Sequence, residues 1–129
     1  GIAMIQPEIA ELSEGLEKAL YVIEGEFTHA IAKGALLERG GGFLGGEYVE
    51  NPVLVEATDA EVAFAAEVLR TVQSVTGEAL PLYARVDTVV SAEYGLVVLE
   101  VELVEPALNL HVASHAVAPV VAAILRAAD

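Results

Sequence analysis

The sequence predicts an α+β domain built on a largely antiparallel sheet with two packing helices. Three observations carry this. Two β-favouring runs flank the pair Glu24-Gly25, a strong hairpin signal. Thr58-x-x-Glu61 has the form of a capping box, and behind it Val62, Ala65, Ala66, Leu69 and Val72 recur at helical spacing. A second pair of apolar runs, "LYARVDTVV" and "GLVVLEVELVEP", surrounds a polar turn after Ser91.

Taken in order, "IAMIQP" reads as a short first strand stopped by Pro7. "EIAELSEGLE" is an acidic connector with Gly15 near its end. Ala19 to Ile23 and Glu26 to Lys33 form the first hairpin. Five glycines within Gly40–Gly46 make the next segment a loop rather than a strand. The helix opened by Thr58 should stop near Gly77. The second hairpin follows. Ser114 then caps a last helix bearing Val117, Val120, Val121, Ile124 and Leu125, unless Pro119 moves its start to Ala118. The order β, ββ, loop, α, ββ, α contains no repeat and no dividing linker, so residues 1–129 are expected to form one domain. Both helices, Thr58–Gly77 and Ser114–Asp129, are expected on one face of the sheet.

Composition narrows the function classes. The chain is 55% hydrophobic, too apolar for a disordered segment. It carries 20 Asp and Glu against 6 Lys and Arg, a formal net charge of −14. No basic patch is available for a nucleic acid or an anionic membrane. Divalent cations could still bring a polyanionic ligand to an acidic surface. There is no cysteine, which excludes disulfides, thiolate catalysis and zinc–thiolate sites and suits a reducing compartment. "GIAMIQPEIAELSE" lacks a basic signal-peptide start, and "AVAPVVAAILRAA" is too short to span a bilayer. A soluble, cytoplasmic protein is expected.

The second hairpin poses the chemical question. Arg85 and Asp87 share one face of its first strand, and Glu100 and Glu102 share one face of its second. Whether the two faces coincide depends on the turn. A loop with an even number of residues, such as Ala92–Gly95, places Asp87 opposite Glu100 and Arg85 opposite Glu102. An odd loop separates the charges onto opposite faces. In the first case three carboxylates crowd one guanidinium, and a hard divalent cation would relieve the repulsion. The plainer alternative is an amphipathic hairpin with a solvated charged face.

The residues also carry a resemblance. "YARVDTVV…GLVVLEVELVEPAL" resembles the metal-binding end of the ATP-grasp ligases, where an Arg-x-Asp strand precedes a Glu-x-Asn or Glu-x-Glu strand and a proline turn. "IQPEIAE…EG…ALYVIEGEFTHAIAKG" is similar to the segment running from the adenine hinge through the following hairpin, with Thr28 where that branch has Ser. The resemblance implies an ATP-grasp C-terminal subdomain. It implies an ATP-dependent carboxylate–amine ligase acting through an acyl phosphate, with ATP as co-substrate and Mg²⁺ or Mn²⁺ as cofactor. By it, Asp87, Glu100 and Glu102 are metal ligands and Arg85 is catalytic, contacting a phosphate or the acyl phosphate. Gln6 through Ile9 form the adenine hinge, Glu17 holds the ribose, Lys33 lies near the phosphates and Leu99 packs on adenine. The N-terminal domain and the nucleotide-clamping subdomain of such a ligase are expected to be absent from this chain. The partners implied are ATP, a small carboxylate, and either the missing region or a second copy in a homo-oligomer.

Three further features stand outside that pattern. His29 shares strand parity with Ile31 and Lys33, which would turn it to the site, but a structural histidine is the plainer reading. His111 and His115 have the i, i+4 spacing of a helical metal pair, but straddle a helix start. Gly40–Gly46 lacks the Lys-Ser/Thr of a phosphate-binding loop and reads instead as a flap or a plain loop.

Overall fold

The computed structural model describes residues 1–3, 5, 7–35, 42, 45 and 51–128. Five strands are present: β1 (Lys18–Ile23), β2 (Glu26–Ala32), β3 (Val53–Val55), β4 (Tyr83–Ser91) and β5 (Gly95–Glu102). Two helices accompany them, α1 (Asp59–Thr76) and α2 (Val117–Ala128). The strands form one antiparallel sheet in the order β3-β2-β1-β4-β5. This is the expected class, α+β with two helices.

The central strand explains the layering. Ala19 through Ile23 are all buried, so β1 is covered on both faces and its sequence shows no polar alternation. On one face Leu20 and Val22 join Ala84 and Val86 of β4 against Ala65 and Leu69 of α1. On the other, Ile23 meets Val120 and Ala123 of α2. Ala19, Tyr21 and Ile31 on that second face are roofed by Leu108 and Val112, from the segment between β5 and α2. The two helices therefore lie on opposite faces. This corrects the expectation of one shared face, because apolar residues alternate to both sides of β1.

Local chemistry sets the ends of the elements. Ile23 pairs with Glu26 across a two-residue turn with Glu24 at φ 50° and Gly25 at φ 86°, the sense that matches strand twist. Thr58 and Glu61 make the reciprocal capping box, and Gly77 closes α1 by donating to Gln73 O at 2.8 Å. Lys18 Nζ reaches Glu61 at 2.9 Å, tying the start of β1 to the start of α1. Ser114 opens a 3-10 turn (Ser114–Ala116) rather than capping a helix, and α2 begins at Val117. Pro119 then sits in the first turn of α2, where its missing N–H leaves no bond unmade.

Two elements depart from the sequence reading. The described residues of 1–9 form no strand; Ile2 and Ile5 are exposed and pair with no edge of the sheet. Conversely, β3 was not legible, being three residues long and directly behind Pro52. The acidic connector folds as a 3-10 turn, Ala10–Glu14, ended by Gly15 at φ 73°. A Cβ on Gly15 would lie 2.7 Å from the Ala35 nitrogen, so only glycine lets this connector close against the end of β2.

The β4–β5 register has a cause that turn length alone would miss. Ser91 pairs with Gly95, leaving a three-residue loop with Gly95 at φ 74°. An odd loop should send the charged faces apart. Thr88 pairs with Val98, however, and Asp87 with Glu100, so Leu99 is an extra residue on β5. This bulge shifts the ladder by one position and returns Glu100 and Glu102 to the face of Arg85 and Asp87. Deleting Leu99 should therefore regularise the ladder and keep Asp87 opposite Glu100, as read from cross-strand NOEs. A deletion variant with Asp87 opposite Val101 would refute the bulge assignment.

Candidate functional site

Pairings across the sheet place the charged residues in rows. His29 pairs with Tyr21, Tyr21 with Arg85, and Arg85 with Glu102. The next row is Ile31, Ala19, Asp87 and Glu100. Lys33 and Glu17 follow at the ends of β2 and β1. Residues in such rows project to the same side, here the α2 side of the sheet.

Asp87 is the centre. It is 1% exposed, on a strand whose neighbours on both sides are paired. Arg85 grips it with two bonds: Nε donates to Oδ1 at 2.8 Å and Nη2 to Oδ2 at 2.9 Å. Lys33 Nζ donates to Oδ2 at 2.5 Å and lies 3.2 Å from Glu17. Arg85 also reaches Glu100 at 3.1 Å and Glu102 at 2.7 Å. Burial opposes both cations, but hydrogen bonding to Asp87 and its charge more than offset this. Glu102 adds to the effect at Arg85 and Glu17 at Lys33, and both cations are held above their ordinary pKa values.

Four carboxylates against two cations leave two negative charges, the complement of one divalent ion. The donor set is all oxygen, as Mg²⁺ and Mn²⁺ prefer. Among the described residues no three His, Asp or Glu side chains converge as a ready metal cage, because Arg85 stands between the carboxylates. The set fits a cation held by one or two carboxylates with phosphate oxygens and water completing its shell. Glu100, with a side chain 54% exposed, is the accessible member, whereas Asp87 is enclosed.

The other expected residues are placed as follows. Lys33 and Glu17 join the cluster. Leu99 is the half-buried bulge residue beside Glu100. Ile9 precedes the 3-10 turn and accepts from Leu12 N at 3.1 Å. Gln6 lies outside the described residues, as does most of Gly40–Gly46. His111 is in a turn and His115 in the 3-10 turn, so they do not form a pair on one helix.

Tyr21 and Asn109 carried no sequence signal and prove central to the roof of the site. Tyr21 donates to Ala107 O at 2.9 Å and accepts from Asn109 Nδ2 at 3.0 Å. Asn109 is at φ 50°, a conformation its short amide tolerates. His29 stacks on Tyr21 with ring centres 4.2 Å apart. Its Nε2 donates to Leu108 O at 3.0 Å, since a carbonyl only accepts, and its Nδ1 lies 2.9 Å from the Thr28 hydroxyl. Thr28 is itself an extra residue: Tyr21 pairs with His29 but Val22 with Phe27. Thus one bulge aligns His29 with the Arg85 row and another aligns Glu102 with it.

No protein-family model matches the chain. Over 113 residues it is 37% identical to the cycloserine biosynthesis protein DcsG of Streptomyces lavendulae, spanning 83% of this chain and 36% of that protein. The crystal structure of D-cycloserine synthetase DcsG superposes over 96% of this chain and 42% of its own, with a TM-score of 0.84 and 30% identity. The ATP-grasp ligase PsnB, solved with a precursor peptide and AMPPNP, matches over 89% of this chain and 33% of its own, at a TM-score of 0.55 and 15% identity. A PsnB structure with Mg and ADP gives a TM-score of 0.58 at 16% identity. The chain thus has an ATP-grasp-type fold. It spans well under half the length of these relatives. Among the described residues no helix is long and apolar enough to cross a membrane.

The buried imidazole yields a pH test. Burial lowers the His29 pKa, with the nearby His115 adding slightly, against the Leu108 hydrogen bond. The unfolded chain therefore takes up a proton near pH 6.5 that the folded chain refuses. The His29 contribution to stability should be full above about pH 6.5 and decline as pH falls below it. Urea unfolding of wild type and His29→Asn from pH 7.5 to 5 should show the two stabilities converging on acidification. Parallel curves would contradict the assignment.

Proposed function

We propose that this chain is the C-terminal catalytic portion of an ATP-dependent carbon–nitrogen ligase. The observation that supports it most is the cluster in which Arg85 and Lys33 hold Asp87 beside Glu17, Glu100 and Glu102, six residues with two net negative charges on one face of an ATP-grasp-type sheet. In this reading the γ-phosphoryl group of ATP passes to a substrate carboxylate, giving ADP and an acyl phosphate. An amine then attacks the carbonyl carbon and phosphate leaves.

Each residue has a role set by its surroundings. Glu100 and Glu102 would hold Mg²⁺, with Asp87 behind them, its two oxygens engaged by Arg85 and Lys33. When bound, the ion supplies charge neutralisation for the polyphosphate. Arg85 turns its outer nitrogens from Glu100 and Glu102 to the transferring phosphoryl oxygens, while Asp87 fixes its plane through the two-bond grip. Lys33 orients a phosphate, Glu17 meets the ribose, and Gln6, Ile9 and Leu99 enclose the adenine. The strength of an arginine clamp lies in being placed before the charge develops, and the bidentate Asp87 contact provides that placement.

The short span relative to known ligases favours a second reading of the isolated chain. It binds nucleotide and metal while turnover needs a clamping region, or a second copy, to close the cleft. Both readings make one prediction. The 129-residue chain should bind ATP more tightly with Mg²⁺ than with EDTA, and Glu100→Gln should erase the difference while leaving the unfolding midpoint nearly unchanged. Calorimetry showing equal ATP affinity with and without Mg²⁺ would overturn the metal assignment. Phosphate release by the isolated chain would separate the two readings.

A further inference from the structure

A second cavity lies at the other end of β2. β3 pairs with β2 over Ala30–Ala32, and among the described residues no strand pairs with Glu26–His29 on that side. The chain beyond Val55 diverges there and opens a cleft of ≈ 410 Å³. Its apolar walls are Phe27, Ala30, Leu54, Val55 and Ala57. Phe27, Val55 and Ala57 also pack on the α1-side core, which makes those walls firm.

The side-chain polar groups left available in the cleft are of one kind. The His29 ring nitrogens are engaged by Thr28 and Leu108, and the Thr28 hydroxyl is taken up with His29 and Tyr21 O. His115 Nε2 donates to Thr28 O at 3.2 Å, which leaves its Nδ1 as an acceptor. Glu56 adds a carboxylate, its backbone carbonyl being the part held by Lys18. Among the described residues no Lys or Arg lines the cleft. A ligand must therefore bring donors and positive charge to Glu56 and His115, and an apolar body to the walls. A phosphate or a carboxylate would meet the Glu56 carboxylate and no cationic side chain among the described residues. This chemistry is the reverse of that around Arg85 and Lys33.

We propose that this cleft is a binding site for a small primary amine with an apolar body. The ammonium donates to the Glu56 carboxylate and His115 Nδ1, and the body lies against Phe27, Leu54 and Val55. The site uses none of the residues assigned to nucleotide or metal, so it stands or falls apart from the ligase reading.

The test is an NMR titration of the full chain with 2-phenylethylamine, against 3-phenylpropionate as the anionic counterpart. The amine should give saturable shifts confined to Phe27–Ala30, Leu54–Ala57 and His115, and the carboxylate should give none. Glu56→Gln should weaken the amine about tenfold, the order expected from losing one charge-assisted hydrogen bond. Glu56 is exposed, so this variant should keep the wild-type spectrum elsewhere and remain a fair test. Three results would each overturn the proposal: equal binding of amine and carboxylate, an affinity indifferent to Glu56→Gln, or no saturation below about 10 mM.

Discussion

Everything on the charged face depends on one buried carboxylate. Asp87 is enclosed by β1 and β5, and removing an ion from water costs several kcal/mol unless its lone pairs are met. Arg85 and Lys33 meet them. The two cations come from different strands, so satisfying Asp87 fixes β2 against β4 across the intervening β1. Lys33 in turn holds Glu17, which can approach only because Gly15 lets the connector close on Ala35. Arg85 carries the same constraint outward to Glu100 and Glu102.

That arrangement also accounts for the absence, among the described residues, of a preformed metal cage. The carboxylates repel one another, and in the free chain a guanidinium relieves the repulsion. On the proposed ligase reading, a nucleotide-bound cation would take over at the exposed Glu100, freeing Arg85 for phosphate while Asp87 keeps it in plane. The cluster is thereby fully hydrogen-bonded in the free chain. Among the described residues no buried side-chain nitrogen or oxygen is left without a partner. The face is closed above Tyr21 and Ala19 by a roof held through backbone carbonyls, Ala107 O to Tyr21 and Leu108 O to His29. The open part of this face lies at Glu100 and Glu102, beyond Arg85.

Much of this was legible in the sequence where the signal was local. The capping box at Thr58, the Gly77 stop and the Glu24-Gly25 turn each rest on a few adjacent residues, and each formed as read. The shared parity of Arg85 and Asp87 needed only strand period. Their alignment with Glu100 was different. The expected route was an even turn, whereas the structure reaches the same pairing through an odd turn and a bulge at Leu99. Two departures cancel, and nothing in "GLVVLEVE" marks which residue is extra. Lys33 at Asp87 is a contact across 54 positions, set by how β2 lies beside β1, and single-residue patterns carry no such information. Tyr21 and Asn109 look like ordinary strand and loop residues until the roof segment folds back. β3 and the opposite placement of the helices were missed because both are decided by tertiary packing rather than by local preference.

The central claim is that Lys33 and Asp87 form one coupled unit on which the sheet and its charged face rely. A double-mutant cycle on unfolding free energy, using Lys33→Met and Asp87→Asn singly and together, measures this directly. The account predicts a coupling of about 1–3 kcal/mol, with the double variant less destabilised than the sum of the single ones. Additivity within about 0.5 kcal/mol would contradict it, and would mean that Asp87 is held by Arg85 alone.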